Sequence, residues 1–313
     1  MTECISAMEE ALSALARGEV HQPLRMVTKP AAARGVMALM PAFQAGNEPI
    51  FGLKAICVFP GNARIGKDAH QGGVLLFSGV TGELMAIMNA SAITAIRTAA
   101  VSAVATRILA REDANELAII GAGVQARSHL EAIAVVRSIK RARIAARSFE
   151  SAQAFAREMQ AKVAFPLEAT SSAEAALHAA DLIVAATTSR EPVIKREWVS
   201  AGAHINAIGT FSPAAREVDT GTMAAASLFV DRRESALNEA GDYLIAAQEG
   251  AIGPDHIRAE LGEVLVGAHQ GRTSREEITL FKSLGLAIED LAAASLAFRK
   301  AQQQDLGSWI EFD

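Results

Sequence analysis

Cysteine is nearly absent from this chain: Cys4 and Cys57 are the only two among 313 residues. Two thiols cannot build a disulfide framework, and neither sits in metal-ligand spacing, so no metal is expected. A reducing, cytoplasmic setting is the expectation. Basic tracts are missing as well. The net charge is −5, and no Lys/Arg-rich or basic-aromatic patch occurs, which argues against a nucleic-acid partner. No apolar run approaches the roughly 20 residues of a membrane helix, so no membrane contact is expected. The opening, "MTECISAMEEALSALARGEV", is acidic and amphipathic, with Ile5, Met8, Leu12 and Leu15 at helical spacing. It reads as a domain-opening helix rather than a signal peptide. Internal repeats and low-complexity tracts are lacking, beyond a general richness in alanine.

What the chain does have is apolar residues, 50% of the total. At this length two domains are expected, each with a core of its own. The patterning changes near residue 115. Before it, "PLRMVT", "GVMALMPAF", "FGLKAICVF", "GGVLLF" and "ELMAIM" are short β-like runs parted by Pro, Gly and Asn, as in an antiparallel sheet. "SGVTGE" (78–83) reads as a hairpin turn between two of them. A long helix pattern follows over 91–110, with Ser91 as its N-cap. After residue 115 apolar runs alternate with helix patterns: "ELAII", "RARIAA", "KVAF", "DLIVAAT", "HINAIG" and "SLFVD". That is βαβ repetition, which predicts a parallel sheet covered by helices. "TLFKSLGLAIEDLAAASLAFRKAQQQ" is a short strand followed by a long helix. That helix is expected to pack back on the first domain and make it discontinuous.

The stretch "ELAIIGAGVQARSHLEAI" (116–133) is the most informative. A strand pattern runs into Gly121-Ala122-Gly123-Val124-Gln125-Ala126 and then into a helix. This is the context of a dinucleotide phosphate turn. Gly121 allows the tight turn. Gly123 lets the backbone approach a pyrophosphate, whose charge the helix N-terminus favours. Ala126 replaces the third glycine, which only serves helix–strand packing. The alternative is a tight strand–helix turn with no ligand. The next strand selects the cofactor. An NAD site usually ends that strand in Asp or Glu for the ribose hydroxyls. Here it ends in Arg147-Ser148. A guanidinium and a hydroxyl suit a 2′-phosphate, so NADPH is expected over NADH. The alternative is a solvated Arg147 with Ser148 capping the following helix.

Several segments together resemble the ornithine cyclodeaminase/mu-crystallin family: "QPLR", "LMPAF", "FGLKAICVFPGN", "HQGGVLLF", "AIRTAAVSAVAT", "IIGAGVQARSHLEA", "HINAIGTFSP", "LGEV" and "FKSLGLAIEDLAAA". They run in family order across nearly the whole chain. The resemblance implies a Rossmann NADP-binding domain over 111–284. It also implies a smaller α+β substrate and dimerisation domain over 1–110 with 285–313, hence a homodimer. Arg25, Lys54 and Arg97 match the family's ligands for the substrate carboxylate, with Lys54 a catalytic candidate. Three cations from separate segments can converge on one anion through charge-assisted hydrogen bonds. Glu239 aligns with a polar residue of the substrate pocket. The cofactor residues so implied are His70, Arg97, Gly121, Ala122, Gly123, Val124, Gln125, Arg147, Ser148, Ser151, Thr187, Thr188, Ile208 and Ser283. Read without the family, Lys54 is an ordinary strand residue. His70 is a solvated or core histidine, and Glu239 a helix-surface charge. Arg97 stands out, because its helix is otherwise small and apolar.

The family's cyclodeaminases carry an acid/base aspartate after the "INAIG" strand, where this chain has Phe211. Phenylalanine cannot move protons. Members of that kind resemble ketimine reductases, which implies NADPH-dependent reduction of a cyclic imino acid. The products are L-proline from Δ1-pyrroline-2-carboxylate and L-pipecolate from Δ1-piperideine-2-carboxylate. The alternatives are an alanine-dehydrogenase-like enzyme, an ornithine cyclodeaminase, and a non-catalytic NADPH-dependent binder of small ligands.

Overall fold

The computed structural model describes residues 1–311. The chain begins with α1 (Thr2–Ala16), whose Ile5, Met8 and Leu12 are buried. Six strands follow: β1 (Val20–His21), β2 (Met26–Thr28), β3 (Val36–Gln44), β4 (Ile50–Val58), β5 (His70–Ser78) and β6 (Leu84–Asn89). They form one antiparallel sheet in the order β1-β3-β4-β5-β6, with β2 beside β3. The five expected β runs are all present, although Pro23–Arg25 stay outside the ladder. The expected hairpin turn closes with Ser78 N–H bonded to the Glu83 carbonyl.

Next comes α2 (Ala90–Leu109). Ser91 is not its cap. Asn89 Oδ1 accepts the Ala92 N–H at 3.0 Å, and Ser91 Oγ instead donates to the His70 carbonyl. By length and composition α2, 20 residues long, could cross a membrane, with a mean hydropathy of 1.4 over an 18-residue window. The expectation that no apolar stretch is this long therefore fails. The cause is packing: 67% of that window is buried inside the protein, as in a core helix.

The rest of the chain alternates strands and helices: β7 (Glu116–Ile120), α3 (Val124–Val136), β8 (Arg141–Ala145), α4 (Phe149–Met159), β9 (Leu167–Ala169), α5 (Ala173–Leu177), β10 (Leu182–Ala185) and β11 (His204–Ala207). It continues with α6 (Thr220–Ala225), β12 (Ser227–Val230), α7 (Arg233–Glu239), α8 (Gly241–Gln248), β13 (Ile257–Glu260), α9 (Leu261–Leu265), β14 (Thr279–Lys282) and α10 (Ala287–Gln303). The eight later strands form one parallel sheet, ordered β13-β12-β14-β11-β10-β7-β8-β9. Strand order reverses between β7 and β10, which is where doubly wound folds bind ligands. The strand expected at "KVAF" lies instead at Leu167–Ala169, beyond Pro166. The strand β13 was not foreseen.

The chain divides into two compact units. One holds Met1–Thr2 and Thr98–Leu284, the other Glu3–Arg97 and Gly285–Asp313. The division within α2 falls before the expected boundary at residue 110. Thr98–Leu109 go with the parallel sheet because their polar groups bond there. Ser102 Oγ meets His129 Nε2 at 2.9 Å, and Thr106 Oγ1 accepts from Asn206 at 3.0 Å. In this unit helices cover both faces of the sheet. Leu130, Ile133, Phe155 and Met159 pack on one side, and Leu177, Met223 and Tyr243 belong to the core on the other. In the other unit the even-numbered residues of β3 and β4, among them Met40, Lys54 and Ile56, face inward. The helix α10 packs on that face, so closely that a Cβ on Gly52 would lie 2.8 Å from Leu291.

Candidate active site

In the parallel-sheet unit the turn after β7 has the shape a phosphate requires. Gly121 has φ +124°, and a Cβ there would lie 2.4 Å from the Ala186 carbonyl, so only glycine fits. A Cβ on Gly123 would meet nothing within 4 Å, which leaves open space over the turn. The helix α3 starts after Gly123 with no side-chain cap, so its first N–H groups face that space. Arg127 was not singled out from the sequence. Its guanidinium folds back onto the Ala122 carbonyl at 2.6 Å and the Gly123 carbonyl at 3.1 Å, and it pairs with Glu158. Val124 is exposed, while Ala122 and Gln125 are half-buried.

Arg147 and Ser148 lie exposed just after β8. Ser148 does cap α4, accepting the Ser151 N–H at 3.2 Å, and the Ser151 hydroxyl lies 3.0 Å away. Capping uses a lone pair and leaves the hydroxyl proton for another acceptor. Thr187, Thr188 and Ile208 follow β10 and β11. The Thr187 hydroxyl is not directed at a ligand, because it donates to Glu217 at 2.7 Å. Ser283, after β14, is buried and its Oγ has no hydrogen-bond partner. A buried hydroxyl without a partner is costly, and a polar ligand group would satisfy it. The tight turn, the uncapped helix and this hydroxyl all suit a nicotinamide dinucleotide. Glu239 is half-buried at the end of α7, and Phe211, 44% exposed, follows β11.

The other unit holds the cations. Lys54 is only 4% exposed and its Nζ lies 2.6 Å from Asp290 Oδ2. Arg97 is 5% exposed, with Nε 3.0 Å from Asp290 Oδ1 and Nη1 2.7 Å from Glu289 Oε2. Arg25 donates to the Gly285 carbonyl at 3.0 Å. The family resemblance implies a substrate carboxylate as the partner of Arg97. Its partners in the structure are Glu289 and Asp290 on α10, which were missed. Only their burial on the inner face of α10 distinguishes them from ordinary first-turn acids. Burial is the main cause that brings the Lys54 ammonium down to about 8, with Asp290 opposing it and Arg97 and Arg25 adding to it. Burial works against ionised Asp290, but Arg97 and Lys54 outweigh it and hold the carboxyl below its ordinary range. His70, assigned to the cofactor from the sequence, belongs to this unit. Burial first, then Lys54 and Arg97, lower its pKa and keep the ring neutral. Among the described residues no cluster of His, Cys, Asp and Glu is placed to hold a metal.

Known proteins resemble this chain in sequence and fold. The sequence profile of the ornithine cyclodeaminase/mu-crystallin family matches residues 1–305. Ketimine reductase mu-crystallin of Mus musculus is 41% identical over 297 residues, covering 94% of this chain and 90% of that protein. The Δ1-pyrroline-2-carboxylate reductase of Thermococcus litoralis, solved with NADH and L-proline, superposes with a TM-score of 0.96 at 39% identity, over 99% of this chain and 96% of that one. An archaeal alanine dehydrogenase dimer with bound NAD gives a TM-score of 0.94 at 34% identity, over 100% and 95%.

Proposed function

Because the chain belongs to the ornithine cyclodeaminase/mu-crystallin family, we propose that it is an oxidoreductase that reduces the C=N bond of a cyclic 2-imino carboxylate. Δ1-Pyrroline-2-carboxylate and its six-membered homologue are the substrates, L-proline and L-pipecolate the products. One observation carries this: Lys54 and Arg97 are buried cations held side by side by Glu289 and Asp290, with Arg25 in the same unit. Positioned cations of this kind suit a carboxylate, which they would meet with charge-assisted hydrogen bonds.

A reduced nicotinamide supplies the hydride when bound. Gly121, Gly123 and the first N–H groups of α3 hold its pyrophosphate, and Ser283 offers a hydroxyl to its polar groups. The cations hold the substrate carboxylate and so fix which face of the imine carbon is presented. Lys54, with a pKa near 8, is charged at neutral pH and is acidic enough to give its proton to the imine nitrogen. Asp290 stays ionised beside it and stabilises the ammonium until that transfer. NADPH is the preferred donor, on the strength of exposed Arg147 and Ser148 with no carboxylate at the end of β8.

The protein acts as a homodimer. The outer face of the antiparallel sheet carries Met37, Phe43, Phe51, Leu53, Leu75 and Ile87, with the Phe43 and Phe51 rings 4.6 Å apart. A solvated sheet face is normally polar, and this one is not. A single chain in analytical ultracentrifugation would refute the dimer.

The assay for the activity is NADPH and NADH oxidation against Δ1-pyrroline-2-carboxylate, Δ1-piperideine-2-carboxylate, pyruvate with ammonia, and ornithine. Turnover of the cyclic imines is expected, with NADPH preferred and no proline release from ornithine. The likeness to alanine dehydrogenase supports a second reading, reductive amination of a keto acid. Activity that requires added ammonia would establish that one instead.

A further inference from the structure

A second buried charge cluster, in the parallel-sheet unit, has no part in the chemistry just described. Lys282, on β14, is fully buried. Its Nζ donates to Asp242 Oδ2 at 2.9 Å and to the Thr210 carbonyl at 2.8 Å. Asp242 Oδ1 accepts the N–H groups of Glu217 and Val218 at 2.7 and 2.9 Å. Glu217 carries the network outward. Its Oε1 accepts the Thr187 N–H and hydroxyl, both at 2.7 Å, and its Oε2 accepts the Gly209 N–H at 2.6 Å. One carboxylate therefore ties together the ends of two neighbouring strands, β10 and β11. The joint is tight: a Cβ on Gly209 would lie 2.1 Å from the Thr187 carbonyl. Lys282 and Asp242 fix the next residue as well, since Thr210 bonds to both. Phe211 stands on that anchored residue.

Each of these oxygens accepts from a donor already in place. The network ends at the carboxyl ends of β10 and β11, the region where a doubly wound fold holds its ligand. We propose that Glu217, backed by Asp242 and Lys282, is a positioning residue that fixes Thr187, Gly209 and Thr210 as the platform for the nicotinamide half of the cofactor. The adenine half is held elsewhere in this unit, at Gly121–Gln125 and Arg147–Ser148. This rests on the proposal that the chain binds a nicotinamide dinucleotide.

Glu217→Gln is nearly isosteric but turns an amide NH2 towards an N–H donor, which breaks part of the joint. Calorimetry should compare two ligands on wild type and variant. One is the reduced dinucleotide that the wild type binds more tightly. The other is the matching ADP-ribose or 2′-phospho-ADP-ribose, which lacks the nicotinamide. The variant should bind the dinucleotide about tenfold more weakly and the fragment within about twofold of wild type. Thr187→Val removes one donor without touching the carboxylate, and should show the same split at about threefold. It provides the test if Glu217→Gln does not fold. Equal losses for both ligands would mark a general structural role and overturn the proposal, as would no loss for either. A wild type that binds neither dinucleotide would overturn the cofactor reading itself, and this inference with it.

Discussion

The two units bury charge in opposite ways. In the antiparallel unit, buried Lys54 and Arg97 pair with Asp290 and Glu289, and Arg25 donates to the Gly285 carbonyl. In the parallel-sheet unit, Lys282 pairs with Asp242, and burial raises the pKa of the neighbouring Glu217. The Asp242 and Glu217 oxygens are met by the protein itself, through the N–H groups of Thr187, Gly209, Glu217 and Val218 and the hydroxyls of Thr187 and Thr210. Buried cations are suited to an anionic ligand. Buried carboxyl groups dressed with N–H groups are suited to holding loops still. Both clusters are costly to desolvate, and geometry alone separates their uses.

The largest effect should come from breaking the cationic side. Lys54→Met keeps the length and the apolar stem and removes the charge. It should lower kcat/KM for the cyclic imino acid by about a hundredfold, or roughly 2.7 kcal/mol of transition-state stabilisation. Dinucleotide affinity should hardly change. Because Asp290 loses one of its two cations in this variant, a lower Tm is expected alongside, and circular dichroism at the assay temperature must show a folded protein. An unchanged kcat/KM in the folded variant would remove Lys54 from the mechanism.

A smaller effect tests the cofactor end of the other unit. Arg147→Ala should weaken NADPH binding about tenfold, since hydrogen bonds to charged groups contribute about 1.5–3 kcal/mol. NADH should lose much less. Equal losses for the two would mean that Arg147 does not meet a 2′-phosphate.

The smallest effect is a shift along the pH axis. Lys54 is protonated below its pKa of about 8 and loses its charge above it. The rate should therefore hold towards neutral pH and fall as pH rises through about 8. Lys54→Arg keeps the charge at all these pH values, so in any activity it retains that falling limb should move upward. An alkaline limb at the same pH in both proteins would assign the titration to the substrate or to another group.

Much of this was legible in the sequence. Period-2 runs before residue 115 and βαβ alternation after it mark the two sheets, because local patterning reports which face of an element is buried. Gly121-Ala122-Gly123 was readable because a phosphate turn is contiguous in the chain. The charge clusters were not. Glu289 stands 192 positions from Arg97, and Asp242 joins to Thr210 and Glu217 through loops. In "GLAIEDLAAA" the two acids look like helix-surface charges favouring a helix N-terminus. Their burial is a property of how α10 meets β3, β4 and β5, which no local pattern encodes. The same holds for α2. Its membrane-like hydropathy reflects contact with protein on most sides, and Arg97 marks where that surrounding turns polar.

The central claim is that the cationic cluster exists for the substrate's carboxylate. The most direct measurement pairs two substrates with two proteins: Δ1-pyrroline-2-carboxylate and uncharged Δ1-pyrroline, each reduced by wild type and by Lys54→Met. Wild type should favour the carboxylate by about a hundredfold in kcat/KM, and the variant, which also lacks the proton donor, should slow both imines but the carboxylate more, so that the preference falls. If the variant slowed both imines equally and kept the preference, the carboxylate would be recognised elsewhere and the account would be wrong.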